Sequence, residues 1–256
     1  MIKLVVIDLD RTLLRTDKTV SSDTAEVLAR CRARGIKVAF ATARSIRTAN
    51  EVVGAIEFDA QIFHNGANVY AGEELLFKCG IDIEVAQAML LELNRDFPER
   101  LISVEIDDVN YSNQNVMTEW ARSRFVVTDF TDLPRRTADK VLVEWLRDDD
   151  LAVFEGYIAD ELYVENSEGK IALIMNKNAT KLRAVALIAE HFGIELSEVV
   201  AFGDDVNDIE MLRNCGCGVA MANALDEVKA VADEICGSND EDGVAEWLRR
   251  KVLAEL

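Results

Sequence analysis

Two stretches of this chain repeat one rhythm, a short β-branched run followed by a longer stretch of helical periodicity. That alternation limits the fold more than any other feature. The first stretch begins Ile2-Lys-Leu-Val-Val-Ile7, an unbroken apolar run of the kind found in a strand covered on both faces. A helical pattern from Ser22 to Arg34, stopped by Gly35, leads to the strand pattern Ile36 to Ala41. A helix from Ser45 then precedes a strand around Ile62-Phe63 and a hairpin pattern across Asn68 to Lys78. The second stretch starts at Thr180 and alternates helix (Lys181 to His191), strand (Val199 to Phe202), helix (Asp208 to Arg213) and strand (Cys217 to Ala220). A helix, a strand and a final helix follow. Strands that alternate with helices pair in parallel through right-handed crossovers, which predicts an α/β fold with a doubly wound, mostly parallel, Rossmann-like sheet.

Between these stretches the rhythm breaks. A helix (Glu84 to Phe97), strands near Ile102 to Ile106 and at Asn110, a helix near Thr118 to Arg124 and a strand from Lys140 to Trp145 are expected there. A short helix and strands at Leu162 to Glu165 and Lys170 to Met175 close the region. Strand pairs separated by helices read as an α+β module, residues 81–178, inserted into an α/β domain made of residues 1–80 and 179–256.

Charge narrows the partners. The 28 Lys and Arg against 47 Asp and Glu leave a formal net charge of -19, a field that repels nucleic acid and anionic membrane surfaces. A small anionic substrate is still compatible, because a local cation reverses the field inside a site. Five cysteines scattered through apolar stretches read as reduced, mostly buried thiols. Cys215-Gly-Cys217 has the wrong spacing for a zinc knuckle, and His64 and His191 are too few to supply zinc sites. The start turns acidic too early for a signal peptide and no apolar run is long enough for a bilayer, so a cytoplasmic protein is expected.

The chemistry-bearing residues cluster at strand ends. Asp8-Leu9-Asp10 follows the first strand, and carboxylates at i and i+2 of a strand project to one side. Such a pair suits one nucleophile and one acid–base partner, held together by a cation. Gly203-Asp204-Asp205-Val206-Asn207-Asp208 follows the apolar strand ending at Phe202, where clustered acids repel unless a cation neutralises them. Oxygen donors and few histidines favour magnesium. The same segment also reads as a turn whose Asn207 or Asp208 caps the next helix. Thr42 ends the second strand, where a hydroxyl and following N–H groups could hold a phosphate, and Lys181 opens the helix after the insertion as a positive charge for phosphate oxygens.

The order DxDxT (Asp8, Asp10, Thr12), strand-terminal Thr42, Lys181 and GDxxND (Gly203 to Asp208) resembles the haloacid dehalogenase-like (HAD) superfamily, and the position of the insertion resembles its Cof-type phosphatase branch. Asn65-Gly66-Ala67, Met221-Ala-Asn-Ala224 and Asp242-Gly-Val-Ala245 agree with that resemblance. It implies a magnesium-dependent phosphatase acting on a small phosphorylated metabolite, with a sugar phosphate as the leading class. Asp8 would become an aspartyl phosphate, while Asp10 would protonate the leaving oxygen and then activate water. Magnesium would be held by Asp8, the Asp10 main-chain carbonyl and Asp204, with Asp208 acting through water or by orienting Lys181. Thr42, Lys181 and Asn207 would bind the phosphoryl group, and Asp205 would support them from behind. The insertion would act as a cap carrying substrate specificity, with Asn113, Gln114, Asn115, Arg135, Arg136 and Tyr157 as contact candidates, alongside Arg44 and His64 in the core. Arg11 stands where glycine is commonest, Ala43 replaces a usual glycine, and Leu182 follows Lys181 where glycine is frequent. A sugar phosphomutase and a non-catalytic phosphometabolite-binding protein are the alternatives.

Overall fold

The computed structural model describes residues 1–54, 56–115, 125–167 and 169–254. Its first strands follow the apolar runs: β1 (Leu4–Asp8), β2 (Lys37–Ala41) and β3 (Ala60–Phe63), with helices α1 (Ser22–Ala33) and α2 (Ile46–Val53) between them. Both helices start on a serine whose hydroxyl accepts an orphan N–H, Ser21 from Thr24 and Ser45 from Thr48. The hairpin is β4 (Asn68–Ala71) and β5 (Glu74–Lys78). Next come α3 (Ile83–Asp96), β6 (Ile102–Ile106), β7 (Val109–Ser112), β8 (Phe125–Val127), β9 (Lys140–Glu144), α4 (Ala152–Glu155), β10 (Leu162–Ser167) and β11 (Ile171–Asn176). The chain closes with α5 (Lys181–Phe192), β12 (Val199–Gly203), α6 (Ile209–Asn214), β13 (Cys217–Ala220), α7 (Asp226–Lys229), β14 (Glu234–Ile235) and α8 (Gly243–Lys251).

Two compact units result, one of Met1–Lys78 with Thr180–Leu256, the other of Cys79–Ala179. In the first, eight strands lie in the order β14-β13-β12-β1-β2-β3-β4-β5. The six from β14 to β3 are parallel, and the hairpin strands add antiparallel edges. The order reverses at β1, which pairs with β2 on one side and β12 on the other. That is the switch point where α/β sheets open a crevice beyond the strand ends. Leu4, Val5, Val6 and Ile7 are fully buried there, and each such side chain stabilises the fold by about 1.5–3 kcal/mol relative to exposure.

The second unit is a six-stranded sheet, β10-β11-β9-β6-β7-β8, antiparallel except that β7 and β8 run parallel. Helix α3 turns Ala86, Met89, Leu90 and Leu93 inward, and the separate core gathers these with Ile102, Val104, Phe130 and Phe154. Strand β8 was not expected from the sequence, being three residues with two of them exposed. The helix expected near Thr118 to Arg124 lies outside the described residues.

Candidate active site

Asp8, Thr42 and Asp204 each stand at the C-terminal end of one of three adjacent parallel strands. Asp8 closes β1 and lies opposite Ala41, the residue before Thr42. On the other flank Ile7 lies opposite Phe202, two positions before Asp204. Three runs without local sequence contact therefore deliver their polar end residues to one place because their apolar parts share one sheet.

Lys181 enters from the first turn of α5, whose N-cap is Thr180. Its ammonium donates to Asp8 Oδ1 and to Asp208 Oδ1, both at 2.7 Å, and more weakly to Asn207 Oδ1 at 3.4 Å. The side chain is 1% exposed. Burial and the positive end of the helix both oppose a cation here. Asp208 and Asp8 overcome them and lift the lysine well above its ordinary pKa. Asp8 moves upward too: burial raises its carboxyl well above the usual range, Lys181 opposes this, and Asp208 and Asp204 add to the rise. Asp208 Oδ2 accepts from the N–H groups of Asp204 and Asp205, so both its oxygens are engaged by protein donors. It thus pairs with Lys181 and ties the loop backbone together. Asp205 caps the short helical turn Val206–Asp208, pairing reciprocally with Asp208.

Gly203 makes that packing possible, because a Cβ there would overlap the Asp208 side chain. Gly203→Ala is expected to cost about 2–3 kcal/mol of stability and to pull Asp208 off Lys181. Thermal unfolding checks the first effect. Magnesium binding that falls along with stability checks the second, and wild-type values for both would refute it.

Asp204 Oδ1 accepts from Thr12 Oγ1 at 3.0 Å, and Arg11 Nε lies 3.7 Å from Oδ2. Burial pushes Asp204 up to about 7, with Asp208 adding to the rise and Thr12 and Arg11 resisting it. Arg11 has φ +60, the left-handed backbone that glycine adopts without cost. Asn223 secures it from both ends: Asn223 Nδ2 donates to the Arg11 carbonyl at 2.8 Å, and Arg11 Nη2 donates to the Asn223 carbonyl at 3.3 Å. Asn239 in turn donates to Asn223 Oδ1 and to the Leu14 carbonyl, each at 3.0 Å.

Asp10 departs from the strand expectation. The strand ends at Asp8, so Asp10 lies beyond the extended stretch, and Arg11 follows it in a left-handed conformation. Asp10 instead receives Arg44 side-on, Nε at 2.6 Å and Nη2 at 2.7 Å, and Lys18 Nζ at 2.7 Å. Burial opposes ionisation, but Arg44 and Lys18 outweigh it and hold Asp10 at about 2. Thr42 is buried, with its N–H on the Ile62 carbonyl and its hydroxyl oxygen accepting the Arg44 N–H at 3.1 Å. Its carbonyl accepts the Asn65 N–H at 2.9 Å. Asn65 Oδ1 accepts from Asn207 Nδ2 at 3.0 Å, linking the β3 turn to the lysine. His64 is buried, and its N–H bonds the Arg44 carbonyl at 3.0 Å.

The donor set suits a hard divalent cation. Ligand atoms of Asp8, Asp204 and Asp208 lie within 4.8 Å of one another, and the buried Lys181 ammonium pairs with Asp8 and Asp208. A pH consequence follows. Asp204 titrates near its ordinary 3.8 unfolded and at about 7 folded, so the folded protein holds the extra proton between those values. Stability therefore falls as pH rises through that window, by up to about 4 kcal/mol for such a shift. Asp8 shifts in the same direction, whereas Asp10, lowered to about 2, loses its contribution only below the window. EDTA-treated protein should melt several degrees higher at about pH 5 than at about pH 8, and magnesium should abolish that difference. A metal-free protein that melts higher at the alkaline pH would refute this.

Thr12, Lys18, Asn65, Asn223 and Asn239 were not assigned roles from the sequence. Thr12, Asn65 and Asn223 had a signal, their places in DxDxT, Asn65-Gly66-Ala67 and Met221-Ala-Asn-Ala224, whereas Lys18 and Asn239 had none. In the second unit, polar contact candidates are occupied locally. Asn113 accepts the Ile102 N–H and donates to Asn94 and the Arg100 carbonyl, and Gln114 donates to the Glu99 and Arg100 carbonyls. Tyr157 donates to Asp96, Arg136 pairs with Asp107 at 3.0 Å, and Arg135 reaches Gln87. Asn115 is exposed.

Comparison with known proteins finds relatives over nearly the whole chain. A family model described as haloacid dehalogenase-like hydrolase matches residues 5–248. Two 5-amino-6-(5-phospho-D-ribitylamino)uracil phosphatases of Bacillus subtilis align end to end. YcsE is 30% identical, over 98% of this chain and 96% of its own, and YitU is 28% identical, over 96% of each. Among solved structures, the HAD subclass IIB sugar phosphatase BT4131 superposes with a TM-score of 0.82 at 26% identity, covering 97% of this chain and 98% of that one.

Proposed function

The chain belongs to the haloacid dehalogenase-like hydrolase family, and from that membership and the geometry around Asp8 we propose that it hydrolyses a small phosphorylated metabolite through an aspartyl phosphate on Asp8. It is a phosphatase. The observation that carries the mechanism is the clustering of Asp8, Asp204 and Asp208 at the ends of parallel strands, with the buried Lys181 paired to Asp8 and Asp208.

Asp8 attacks phosphorus while the ester P–O bond breaks, and the departing oxygen takes a proton from Asp10. Water then attacks the aspartyl phosphate, Asp10 takes a proton from that water, and phosphate leaves with Asp8 restored. As it stands Asp10 is ionised, the form needed for the second half-reaction. Protonating the leaving oxygen requires Arg44 and Lys18 to loosen from it. Lys181 and the Thr42 hydroxyl stabilise phosphoryl oxygens, and Asn207 keeps Lys181 in place. Asp8 and Asp204, with the Asp10 carbonyl, would hold magnesium, which supplies the positive charge that lets a carboxylate approach an anionic ester.

The sugar phosphatase BT4131 and the ribityl phosphate phosphatases make a phosphorylated sugar or polyol the leading substrate class. Specificity is assigned to the inserted unit, residues 81–178. Buried thiols suit a reducing compartment, the cytoplasm: burial pushes Cys31 up to about 11 and Cys215 and Cys236 up to about 12. Among the described residues no helix is long and apolar enough to cross a membrane.

Phosphate release from para-nitrophenyl phosphate and a sugar-phosphate panel tests the reading. Turnover is expected with magnesium, lost in EDTA and restored by added magnesium. Folded protein that binds magnesium yet turns over nothing would instead favour a binding protein.

A further inference from the structure

Asp10 has more positive charge around it than it needs. Arg44 already pairs both of its oxygens, yet Lys18 Nζ also lies 2.7 Å from Oδ1. This surplus cation occurs in a chain of net charge -19, where stray positive charge is scarce. Exposure grows outward through the cluster: the side chains of Arg44, Asp10 and Lys18 are 22%, 27% and 46% exposed. Arg44 is further anchored by Nη1 to the Thr48 carbonyl at 3.2 Å, so Lys18 is the partner able to leave. A lysine suits that role, being a compact charge on a flexible stem.

Lys18 is also held ready. It sits in a tight turn, with its N–H on the Arg15 carbonyl at 2.8 Å and the Arg15 N–H on the Thr19 carbonyl at 2.9 Å. Its φ of +66 is unusual for a residue with a side chain, and such conformations persist where the surroundings impose them. Here Asp17 bonds the Thr19 N–H and hydroxyl, Asp240 receives the Thr16 N–H and hydroxyl at 2.8 Å each, and Asp242 receives Arg15 at 2.6 Å. The turn is braced, and its lysine points at the residue that serves the leaving group.

We propose that Lys18 is a specificity-determining residue that reads a second anionic group on the alcohol part of the substrate. The substrate class is then a phosphate monoester that also carries a carboxylate or a second phosphoryl group. The inference rests on the phosphatase reading and deepens it. When such a substrate binds, Lys18 moves from Asp10 to the substrate anion, and Arg44 alone keeps Asp10 paired.

The test compares matched substrates at saturating magnesium: phosphoglycerate against glycerol phosphate for the carboxylate, and fructose bisphosphate against fructose monophosphate for the phosphoryl group. Para-nitrophenyl phosphate is the common reference. At least one charged member should be preferred about tenfold or more in kcat/KM, chiefly through KM, as one charged hydrogen bond allows. Lys18→Met should bring that ratio to about one and Lys18→Arg should restore it. Any change the substitution makes through Asp10 affects both members and cancels in the ratio. Ratios near one in the wild type, or a preference that survives Lys18→Met, would overturn the inference while para-nitrophenyl phosphate turnover leaves the phosphatase reading standing. No turnover on any member would overturn both.

Discussion

Asp8→Asn is expected to cut phosphate release by about 10⁴- to 10⁶-fold, the range in which removal of a nucleophile leaves only the binding and electrostatic contributions of a site. Asparagine keeps the shape of the side chain but cannot form an acyl phosphate. The variant should remain folded, because Lys181 keeps Asp208 as a partner and one carboxyl that burial disfavours is gone. Its metal-free melting temperature should equal or exceed that of the wild type, while magnesium binds more weakly for want of one ligand. Release within tenfold of wild type would remove Asp8 as the nucleophile.

The second large effect belongs to Lys181→Met. Methionine fills much of the same volume but leaves Asp8 and Asp208 without the cation that both touch at 2.7 Å. Breaking a buried ion pair from one side costs about 3–5 kcal/mol. In the proposed mechanism Lys181 faces the phosphoryl oxygens, so the rate should fall by about 10²- to 10⁴-fold. Magnesium separates the two losses. It should return much of the stability by neutralising the carboxylates, but little of the rate, since a metal on Asp8 and Asp204 does not replace an ammonium directed by Asp208. Full activity at saturating magnesium would show that Lys181 is structural only. Lys181→Arg is not a conservative control, because the side chain is 1% exposed and a guanidinium needs room for its planar fork.

These residues differ in how readily they could be found. Asp8 and Asp204 were legible because the buried parallel strands β1 and β12 have a plain composition and the polar residue comes at once after the apolar run ends. Alternation of strands and helices was enough for the doubly wound core. Lys181 carries no such mark. It opens an ordinary helix, so its place after the insertion was a weak signal until the resemblance joined it to the other motifs. The Asn65–Asn207 link spans 142 positions, Arg44–Asp10 spans 34 and Asn223–Arg11 spans 212, so no local pattern announces them. Asp10 lies two residues past the last strand residue, Asp8, and period-two reasoning, which holds only while the chain stays extended, does not fix its direction. In the second unit β8 was missed because three residues at a sheet edge, with little to bury, lack the pattern that marks a strand.

The brace between the first loop and the segment around Asn239 also sets an order of events. Leu14 and Asn239 are 225 positions apart, and the turn bearing Lys18 is tied to Asp240 and Asp242. Synthesis makes β1 before β12, its neighbour in the sheet, and before Asn239, which props its loop. Asp8 therefore leaves the ribosome long before the residues that pair with it and brace its loop. The cluster is complete only once α5, β12 and the segment around Asn239 have docked.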